Sequence, residues 1–237
     1  MRVGIIAALP GELKPLVHDW EAIACADGTR KWIHRAEGDV WIAVCSGMGG
    51  AAVRRAFEEA EADGALDMVV SVGWAGELMA LRPGRAWVIS TIFDAETGEM
   101  FRASAGMRVL RLVTTARVAD KAEKKRLGEK FKGAVLVDME AAHVARMARL
   151  RGIPMGCFKA VSDDVSANLP DINGFISPLG RLRMLPFLLY LAVRPWFWWP
   201  VAQLGRNSAK AAEAICKLIL EFMKEKNFDR LERTENA

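Results

Sequence analysis

Short runs of apolar residues recur along this chain and are separated by segments that carry glycine, proline or charge. Runs of this length are typical of strands that are buried inside a sheet. They predict strands at residues 3–8, 67–72, 85–93, 134–137 and 155–161, and a short strand that ends at 113. The segments 31–35 and 40–45 predict the two arms of a hairpin.

Between these runs, apolar residues recur at helical spacing. They predict helices through residues 13–20, 52–59, 120–132 and 141–148, and a closing helix through 211–222. Asp138 is expected to cap the helix that ends at Gly152, because an aspartate there can accept from the first free N–H groups. Asn207 or Ser208 is expected to cap the closing helix. A chain of 237 residues with alternating strands and helices predicts one large α/β domain.

Carboxylates gather where two of the predicted strands end. Asp138 and Glu140 follow the strand at 134–137, and Ser162 and Asp163 follow the strand at 155–161. A strand, a helix and a strand in succession predict two parallel strands, and ligands bind beyond the carboxyl ends of such strands. Because carboxylates accept hydrogen bonds and can carry protons, they indicate a site that handles hydroxyls and protons. The alternative is that both aspartates only cap the segments that follow them.

Other strand ends offer further candidates. Glu12 lies just past the first strand, where it either caps a helix or faces a ligand. The glycine-rich turn at 46–50 leads from a strand into a helix and could cradle a phosphate or a sugar, although it is neither a P-loop nor GxGxxG. Trp74 lies between glycines and is either a lid on the core or a pocket wall. The lysine-rich helix at 120–132 is interpreted as a charged, solvated face.

Composition narrows the classes of function. The net charge of +4 is a mild basicity that does not indicate a nucleic-acid partner. Four scattered cysteines without a CxxC pair predict reduced thiols, and three dispersed histidines do not form a metal cluster. We therefore expect no metal and no cofactor. The apolar run after Arg2 ends at Pro10, so no signal peptide is indicated.

The chain changes character after Asp171. Residues 184–193 are almost wholly apolar, an Arg-Pro pair at 194–195 interrupts them, and a tryptophan-rich run follows at 196–199. A membrane span needs about 20 apolar residues, so a spanning helix is not expected here. Two interpretations remain open: a buried subunit interface, or a segment that lies in the membrane interface, where tryptophans and nearby arginines meet headgroups.

Five motifs, in this order, resemble the nucleoside phosphorylase and nucleosidase superfamily, and in particular the methylthioadenosine/adenosylhomocysteine nucleosidases. They are GIIAALPGE at 4–12, SGMGG at 46–50, SVGWAGEL at 71–78, VDMEAA at 137–142 and AVSDD at 160–164. The resemblance runs from residue 1 to about 164 and returns weakly in the last helix. It implies one phosphorylase-like domain over 1–237, with a mixed, mostly parallel central sheet flanked by helices. An apolar, tryptophan-rich insertion at about 178–206 most resembles the hopanoid-associated branch, whose proposed role is to remove adenine from adenosylhopane.

The resemblance also implies roles for single residues. Asp163 would protonate the purine at N7, and Glu12 would orient the attacking water. Glu140 would hold the ribose 2′- and 3′-hydroxyls. The other predicted substrate contacts are Met139 against the sugar, Val118 near the base, and Trp74, Gly76, Asp138 and Ser162. An aspartic acid that donates to N7 must keep a proton near neutral pH, so burial must raise its pKa.

Departures from the pattern bear on the reaction. The phosphorylases hold phosphate with an arginine and a serine or threonine, the latter in the segment equivalent to 71–76. This chain offers Ser71 and Trp74 there but no arginine. Because Glu12 would repel an anion, we expect hydrolysis and not phosphorolysis. Lys159 stands where the nucleosidases have an arginine, and the loop at 95–106 looks shorter, which would open the 5′ end of the pocket.

Three hypotheses follow. The first is a nucleosidase that hydrolyses the N-glycosidic bond of an adenosine with a bulky 5′ substituent, such as adenosylhopane. The second is a purine nucleoside phosphorylase or an ordinary methylthioadenosine/adenosylhomocysteine nucleosidase in which residues 184–200 form a dimer interface. The third is a non-catalytic, membrane-associated nucleoside-binding protein. We expect a cytoplasmic homo-oligomer, a dimer, with residues 184–200 as the candidate for peripheral contact with the inner membrane face.

Overall fold

The computed structural model describes residues 1–25, 28–79, 81, 83–103, 110–164 and 170–235, with the backbone alone for 226–235. Its strands are β1 (Arg2–Ala7), β2 (Glu21–Ala24), β3 (Arg30–Ala36), β4 (Asp39–Cys45), β5 (Met68–Glu77), β6 (Ala86–Val88), β7 (Thr91–Asp94), β8 (Met100–Arg102), β9 (Arg111–Thr114), β10 (Ala134–Asp138) and β11 (Met155–Asp163). Its helices are α1 (Pro10–Leu13), α2 (Gly50–Glu61), α3 (Lys121–Lys130), α4 (Ala141–Arg151), α5 (Met184–Ala192) and α6 (Trp198–Glu235).

The strands of this described part form one mixed sheet with the order β2-β3-β4-β1-β5-β10-β9-β7-β8, and β11 joins it beside β5. The central pairings of β4, β1, β5 and β11 are parallel, and the hairpin of β3 and β4 is antiparallel, as predicted. One apolar core lies between the sheet and helices α2 and α4, and a second includes residues of α1 and α6. The predicted α/β fold, with a mixed sheet flanked by helices, is confirmed.

The strands β10 and β11 do not run parallel to each other as predicted. β11 pairs with β5 in parallel, whereas β10 pairs with β5 antiparallel at Leu136 and Val137. Gly76 of β5 is the register partner of both Val137 and Asp163. The ends of the two strands therefore still meet, at the end of β5, although the topology is not a simple parallel crossover.

Three strand predictions were wrong in their bounds. β5 continues past Val72 and through the glycine-rich stretch to Glu77, because this second half pairs with both β10 and β11. The segment predicted as one strand at 85–93 is two, of which β6 pairs with β11 and β7 with β9. The predicted loop at 95–106 contains β8, paired with β7. Residues 104–106 lie outside the described residues, so the predicted shortness of this loop stays a prediction.

The helices also differ from the sequence prediction. α1 is a single turn, and residues 14–19 form turns where a longer helix was expected. α4 begins at Ala141 with Glu140 in the cap position, not Asp138. The carboxylate of Asp138 nevertheless accepts from Ala141 N at 2.9 Å, so it satisfies one free N–H of the helix start. α3 is capped by Asp120, which accepts from Glu123 N at 2.8 Å.

The apolar segment near the C-terminus folds into α5, a 3₁₀ turn at Pro195–Phe197 and the start of α6. α6 begins at Trp198, so the predicted cap at Asn207 or Ser208 is wrong; Pro200 is tolerated because it lies in the first turn. Phe187 and Leu191 of α5 are buried. The outer face leaves several large side chains more than half exposed, and we call them the tryptophan surface: Leu185, Leu188, Leu189, Val193, Trp196, Trp198 and Trp199. Within the described residues, no helix is both long and apolar enough to cross a membrane.

Candidate active site

A cavity of about 290 Å³ lies where β1, β5, β10 and β11 end. It is lined by all of the residues that the sequence analysis proposed as site residues: Glu12, Trp74, Gly76, Val118, Asp138, Met139, Glu140, Ser162 and Asp163. These residues come from five separate segments, so the fold gathers them from across the sequence. The catalytic and binding roles assigned to them remain predictions.

Glu12 is the buried carboxylate that follows β1, with 4% of its surface exposed. Its Oε2 accepts from Ala8 N at 2.9 Å and Leu9 N at 2.8 Å, and its Oε1 accepts from Trp74 N at 2.8 Å. Burial raises the pKa of Glu12, and these backbone N–H groups oppose that rise. Three fixed donors therefore hold one carboxylate in a set orientation at the cavity wall.

The close approach of Glu12 to β5 depends on Gly73. A Cβ atom at this position would lie 2.8 Å from Oε1 of Glu12, and the residue has a φ of 151°. A side chain at Gly73 would therefore clash with the carboxylate and would also strain the backbone. This explains why the glycine of the 71–78 motif is needed beside the carboxylate of the first motif.

Glu140 is buried at the start of α4, and its Oε1 accepts from Gly49 N at 2.9 Å. The glycine-rich turn at 46–50 thus supplies a donor to a carboxylate, where the sequence suggested a phosphate or a sugar. Burial first, and then the charge of Asp138, raise the pKa of Glu140 to about 8. Glu140 therefore holds a proton near neutral pH.

Asp138 lies between the cavity and the core, and its side chain is fully buried. Its Oδ1 accepts from Thr114 Oγ1 at 2.7 Å, and its Oδ2 lies 2.8 Å from Lys159 Nζ. Burial lowers the pKa of Lys159, but the negative charge of Asp138 raises it by more, so the net pKa of Lys159 lies above its usual value. Because both oxygens already have partners, Asp138 is suited to fixing the strand end and balancing the lysine.

Asp163 ends β11, and both of its oxygens are engaged. Oδ1 accepts from Ser162 Oγ at 2.7 Å, and Oδ2 forms a short ion pair with Lys124 Nζ. Lys124 belongs to the helix that the sequence analysis interpreted as wholly solvated, and that interpretation is wrong for this residue. The sequence does contain a sign of this burial, because Lys124 shares a helical face with the apolar Leu127 and Phe131.

The backbone of Val118 faces a side-chain amide. Val118 N donates to Asn173 Oδ1 at 2.9 Å, and Val118 O accepts from Asn173 Nδ2 at 3.1 Å. Trp74 Nε1 is buried and, in the described part of the chain, has no hydrogen-bond partner. The sequence analysis singled out Val118 and Trp74 but did not find Asn173.

The wall that the sequence analysis missed is apolar and comes from the C-terminal segment. It comprises Leu182, Phe187, Val201 and Leu204. The segment that carries the tryptophan surface on its outside therefore contributes to the cavity on its inside. Nothing in the spacing of these residues predicts contact with the ends of β1 and β5, which lie more than 100 positions earlier in the chain.

Comparison with known proteins finds similar folds among nucleosidases. Residues 97–176 match the model of the phosphorylase superfamily, and no curated protein matches the chain. The 5′-methylthioadenosine/S-adenosylhomocysteine nucleosidase of Helicobacter pylori aligns over 95% of this chain and 98% of its own, with a TM-score of 0.71 and 16% identity. The S-adenosylhomocysteine nucleosidase of Streptococcus pyogenes, in complex with 5-methylthiotubericidin, aligns over 95% of this chain and 97% of its own, with a TM-score of 0.72 and 16% identity. This chain has the nucleosidase fold.

Futalosine hydrolase of Helicobacter pylori shares this nucleosidase fold as well, over 93% of this chain and 98% of its own, with a TM-score of 0.67 and 16% identity. Identities this low establish the architecture alone. The reaction and the substrate of this chain have to be argued from the residues of its own cavity.

Proposed function

We propose that this protein is a nucleosidase that hydrolyses the N-glycosidic bond of an adenosine with a large apolar 5′ substituent. The observation that carries the proposal is that Glu12, Glu140 and Asp163, from three different strand ends, line one cavity. A lone carboxylate at a strand end is explained by capping, but three around one cavity fit the chemistry of glycoside cleavage.

The reaction assigns a task to each group. Cleavage of the bond between C1′ and N9 builds positive charge on the ribose, which nearby carboxylates stabilise. Asp163 delivers a proton to N7 so that adenine leaves as a neutral base. Glu12, fixed by three backbone donors, orients a water toward C1′, and Glu140 holds the ribose hydroxyls.

The charges of the cavity favour water over phosphate as the nucleophile. An entering anion would face the carboxylates of Glu12 and Asp163. The buried cations near them are already paired, Lys159 with Asp138 and Lys124 with Asp163. Arg117 also lines the cavity, but its side chain is exposed. We therefore propose hydrolysis.

The apolar wall of the cavity supports an apolar 5′ substituent on the substrate. A cavity that combines carboxylates with Leu182, Phe187, Val201 and Leu204 suits a ligand with a polar sugar at one end and an apolar group at the other. Adenosylhopane, implied by the resemblance of the tail, is such a compound. We propose that the tryptophan surface rests on the inner membrane face, where Arg183 and Arg206 meet anionic headgroups. The competing proposal is a nucleosidase of small substrates that dimerises through this surface.

Product analysis tests the proposal. The purified protein is incubated with adenosine, 5′-methylthioadenosine and a 5′-alkyl adenosine of long chain, each with and without phosphate. We expect adenine and a sugar with a free hydroxyl at C1, at a rate that does not depend on phosphate. Asp163→Asn should lose about 10²–10⁴-fold in rate, because an amide cannot supply the proton. Binding without base release would instead support a non-catalytic nucleoside-binding protein, and a sugar 1-phosphate would support a phosphorylase.

A further inference from the structure

Both oxygens of Asp163 accept hydrogen bonds from side chains that can pass on a proton. Ser162 Oγ donates to Oδ1, and the ammonium of Lys124 donates to Oδ2. A carboxyl group that accepts on both oxygens, one from a cation, is in its ionised form. The sequence analysis expected Asp163 to keep a proton through burial, but its side chain is 16% exposed and lies against a cation. Asp163 and Lys124 therefore form an ion pair in which the ammonium supplies the protons that face the carboxylate.

Lys124 is an unusual member of its helix. The neighbouring Lys121, Lys125 and Lys130 are exposed, whereas Lys124 is only 3% exposed. Its Nζ also donates to the backbone oxygen of Asp164 at 2.8 Å. Burying an ammonium is costly unless it is paired. A lysine on a solvated helix would stay exposed, so the burial of Lys124 depends on its contact with Asp163.

The space around the pair is kept open by Gly76. A Cβ atom at this position would lie 3.0 Å from Cε of Lys124 and 3.3 Å from Oδ2 of Asp163. Gly76 is also the register partner of Asp163 on β5. A side chain at Gly76 would therefore press on the ion pair and force it to shift by a few tenths of an ångström.

Lys124 and Asp163 also line a second, larger cavity of about 810 Å³. Charged side chains surround it, among them Arg117, Asp120 and Glu123. The pair therefore faces the proposed reaction site on one side and a polar, open space on the other. Such a position allows Lys124 to recover a proton from solvent after each turnover.

We propose that Lys124 is the positioning residue of Asp163 and the source of the proton that Asp163 passes to the leaving base. This inference rests on the proposed function. As the bond between C1′ and N9 breaks, its electron pair enters the purine, N7 takes a proton from Asp163, and Asp163 takes one from Lys124. Water adds its oxygen to C1′ and gives a proton to Glu12. Solvent then returns a proton to Lys124 and removes the one on Glu12.

Two substitutions separate proton supply from positioning. Lys124→Met removes the cation at similar length, and Lys124→Arg keeps the charge on a group that does not give up its proton in proteins. Each variant is assayed on an adenine nucleoside and on 4-nitrophenyl β-D-ribofuranoside, whose leaving group departs as an anion without protonation. Lys125→Met, on the exposed neighbour, is the matched control.

We expect both variants to lose about 10²-fold on the adenine nucleoside and to stay within a few-fold of wild type on the nitrophenyl riboside. Asp163→Asn should show the same selective loss. Recovery of the adenine rate in Lys124→Arg would overturn proton supply, and equal losses on both substrates or no loss at all would overturn the inference. If Lys124→Met does not fold, Lys124→Arg still decides. A wild-type protein that cleaves neither substrate would refute the proposed function itself.

Discussion

The carboxylates of the cavity accept hydrogen bonds from different donors, and the kind of donor determines which of them can serve as an acid or as a base. Glu12 accepts from three backbone N–H groups, which cannot give up their protons. Glu140 accepts from one, at Gly49. Asp163 accepts from a hydroxyl and an ammonium, so its oxygens, unlike those of Glu12 and Glu140, face donors that can pass on a proton. The arrangement suits a base at Glu12 and an acid at Asp163.

At Glu12, a change of one atom should separate catalysis from binding. We expect Glu12→Gln to lower kcat by about 10²-fold with little change in KM, because the water matters chiefly at the transition state. The amide leaves at least one buried N–H without an acceptor, so a loss of about 1–3 kcal/mol in stability is also expected. Steady-state kinetics and thermal unfolding check the two effects. A rise in KM alone would make Glu12 a substrate contact or a cap.

Glu140 should make the stability of the ligand-free protein depend on pH. Its pKa is about 8 in the folded protein against about 4.5 when unfolded, so the folded state binds more protons between these values. Stability contributed by this group is therefore complete below about pH 4.5 and is lost as the pH rises toward 8. The measurement is denaturant unfolding at pH 6 and pH 8.5.

Glu140→Gln should reduce the fall in stability between those two pH values, since the amide does not titrate. The slope that remains combines Glu12, Cys45 and Cys157, whose pKa values burial also raises, with the opposite contribution of His143, whose pKa burial lowers. Glu58→Gln, on the exposed face of α2, is the control and should leave the slope unchanged. An unchanged slope in Glu140→Gln would contradict the assignment of the raised pKa.

The sequence predicted which residues would meet but not how they pair. The candidates lie at strand ends, and the carboxyl ends of parallel strands gather at one edge of a sheet. The end of β10, which pairs with β5 antiparallel, reaches the same place because it meets the end of β5. The ion pairs of Asp138 with Lys159 and of Asp163 with Lys124 depend on the register of β11 and on how α3 packs. Neither quantity can be read from the spacing of residues along the chain.

Among the elements, the segment from α5 to the start of α6 has two faces with different tasks. Phe187 points to the cavity, and the tryptophan surface points outward. Monomeric proteins rarely expose so many large apolar side chains together, so this surface marks a contact with a membrane or another subunit. Its proximity to the cavity favours a membrane that supplies the substrate.

Replacing Trp196, Trp198 and Trp199 with serine should test this surface. Each ring buries on the order of 150–250 Å² when enclosed. We expect flotation with phosphatidylglycerol vesicles and activity on a long-chain 5′-alkyl adenosine to fall together. Activity on 5′-methylthioadenosine should persist, because the carboxylates lie on other elements.

The matched control replaces exposed leucines elsewhere, Leu150 and Leu220, with serine. This variant should keep both vesicle binding and both activities. Sedimentation of the tryptophan variant completes the experiment. Dissociation of an oligomer with equal loss on both substrates would reject the membrane role and support a dimer interface.

Element bounds were predicted least well where neighbouring strands decide them. The apolar run of β5 ends at Val72 in the sequence, but pairing with β10 and β11 extends the strand over Gly73 and Trp74. α1 stops after one turn although apolar residues continue at helical spacing. α6 begins nine residues before Asn207, the first of its two predicted caps, because Pro200 falls in its first turn and does not interrupt it.

For the whole molecule, the sheet gathers the carboxylates and the C-terminal helices supply an apolar wall. The α/β class follows from the alternation of strands and helices, but the antiparallel contact of β10 with β5 does not. That contact places Gly76 beside both β10 and β11, and so determines how the cavity is formed. The proposed hydrolysis therefore depends on the carboxylates of Glu12 and Asp163, which the fold brings to this cavity.

The oxygen that ends on C1 of the sugar tests this claim most directly. The purified protein is incubated with 5′-methylthioadenosine and with the long-chain 5′-alkyl adenosine in ¹⁸O-labelled water, with unlabelled phosphate present. The account predicts release of adenine and a sugar that carries one ¹⁸O at C1, measured by mass spectrometry before the label exchanges. A sugar 1-phosphate without the label, or no adenine from either nucleoside, would contradict it.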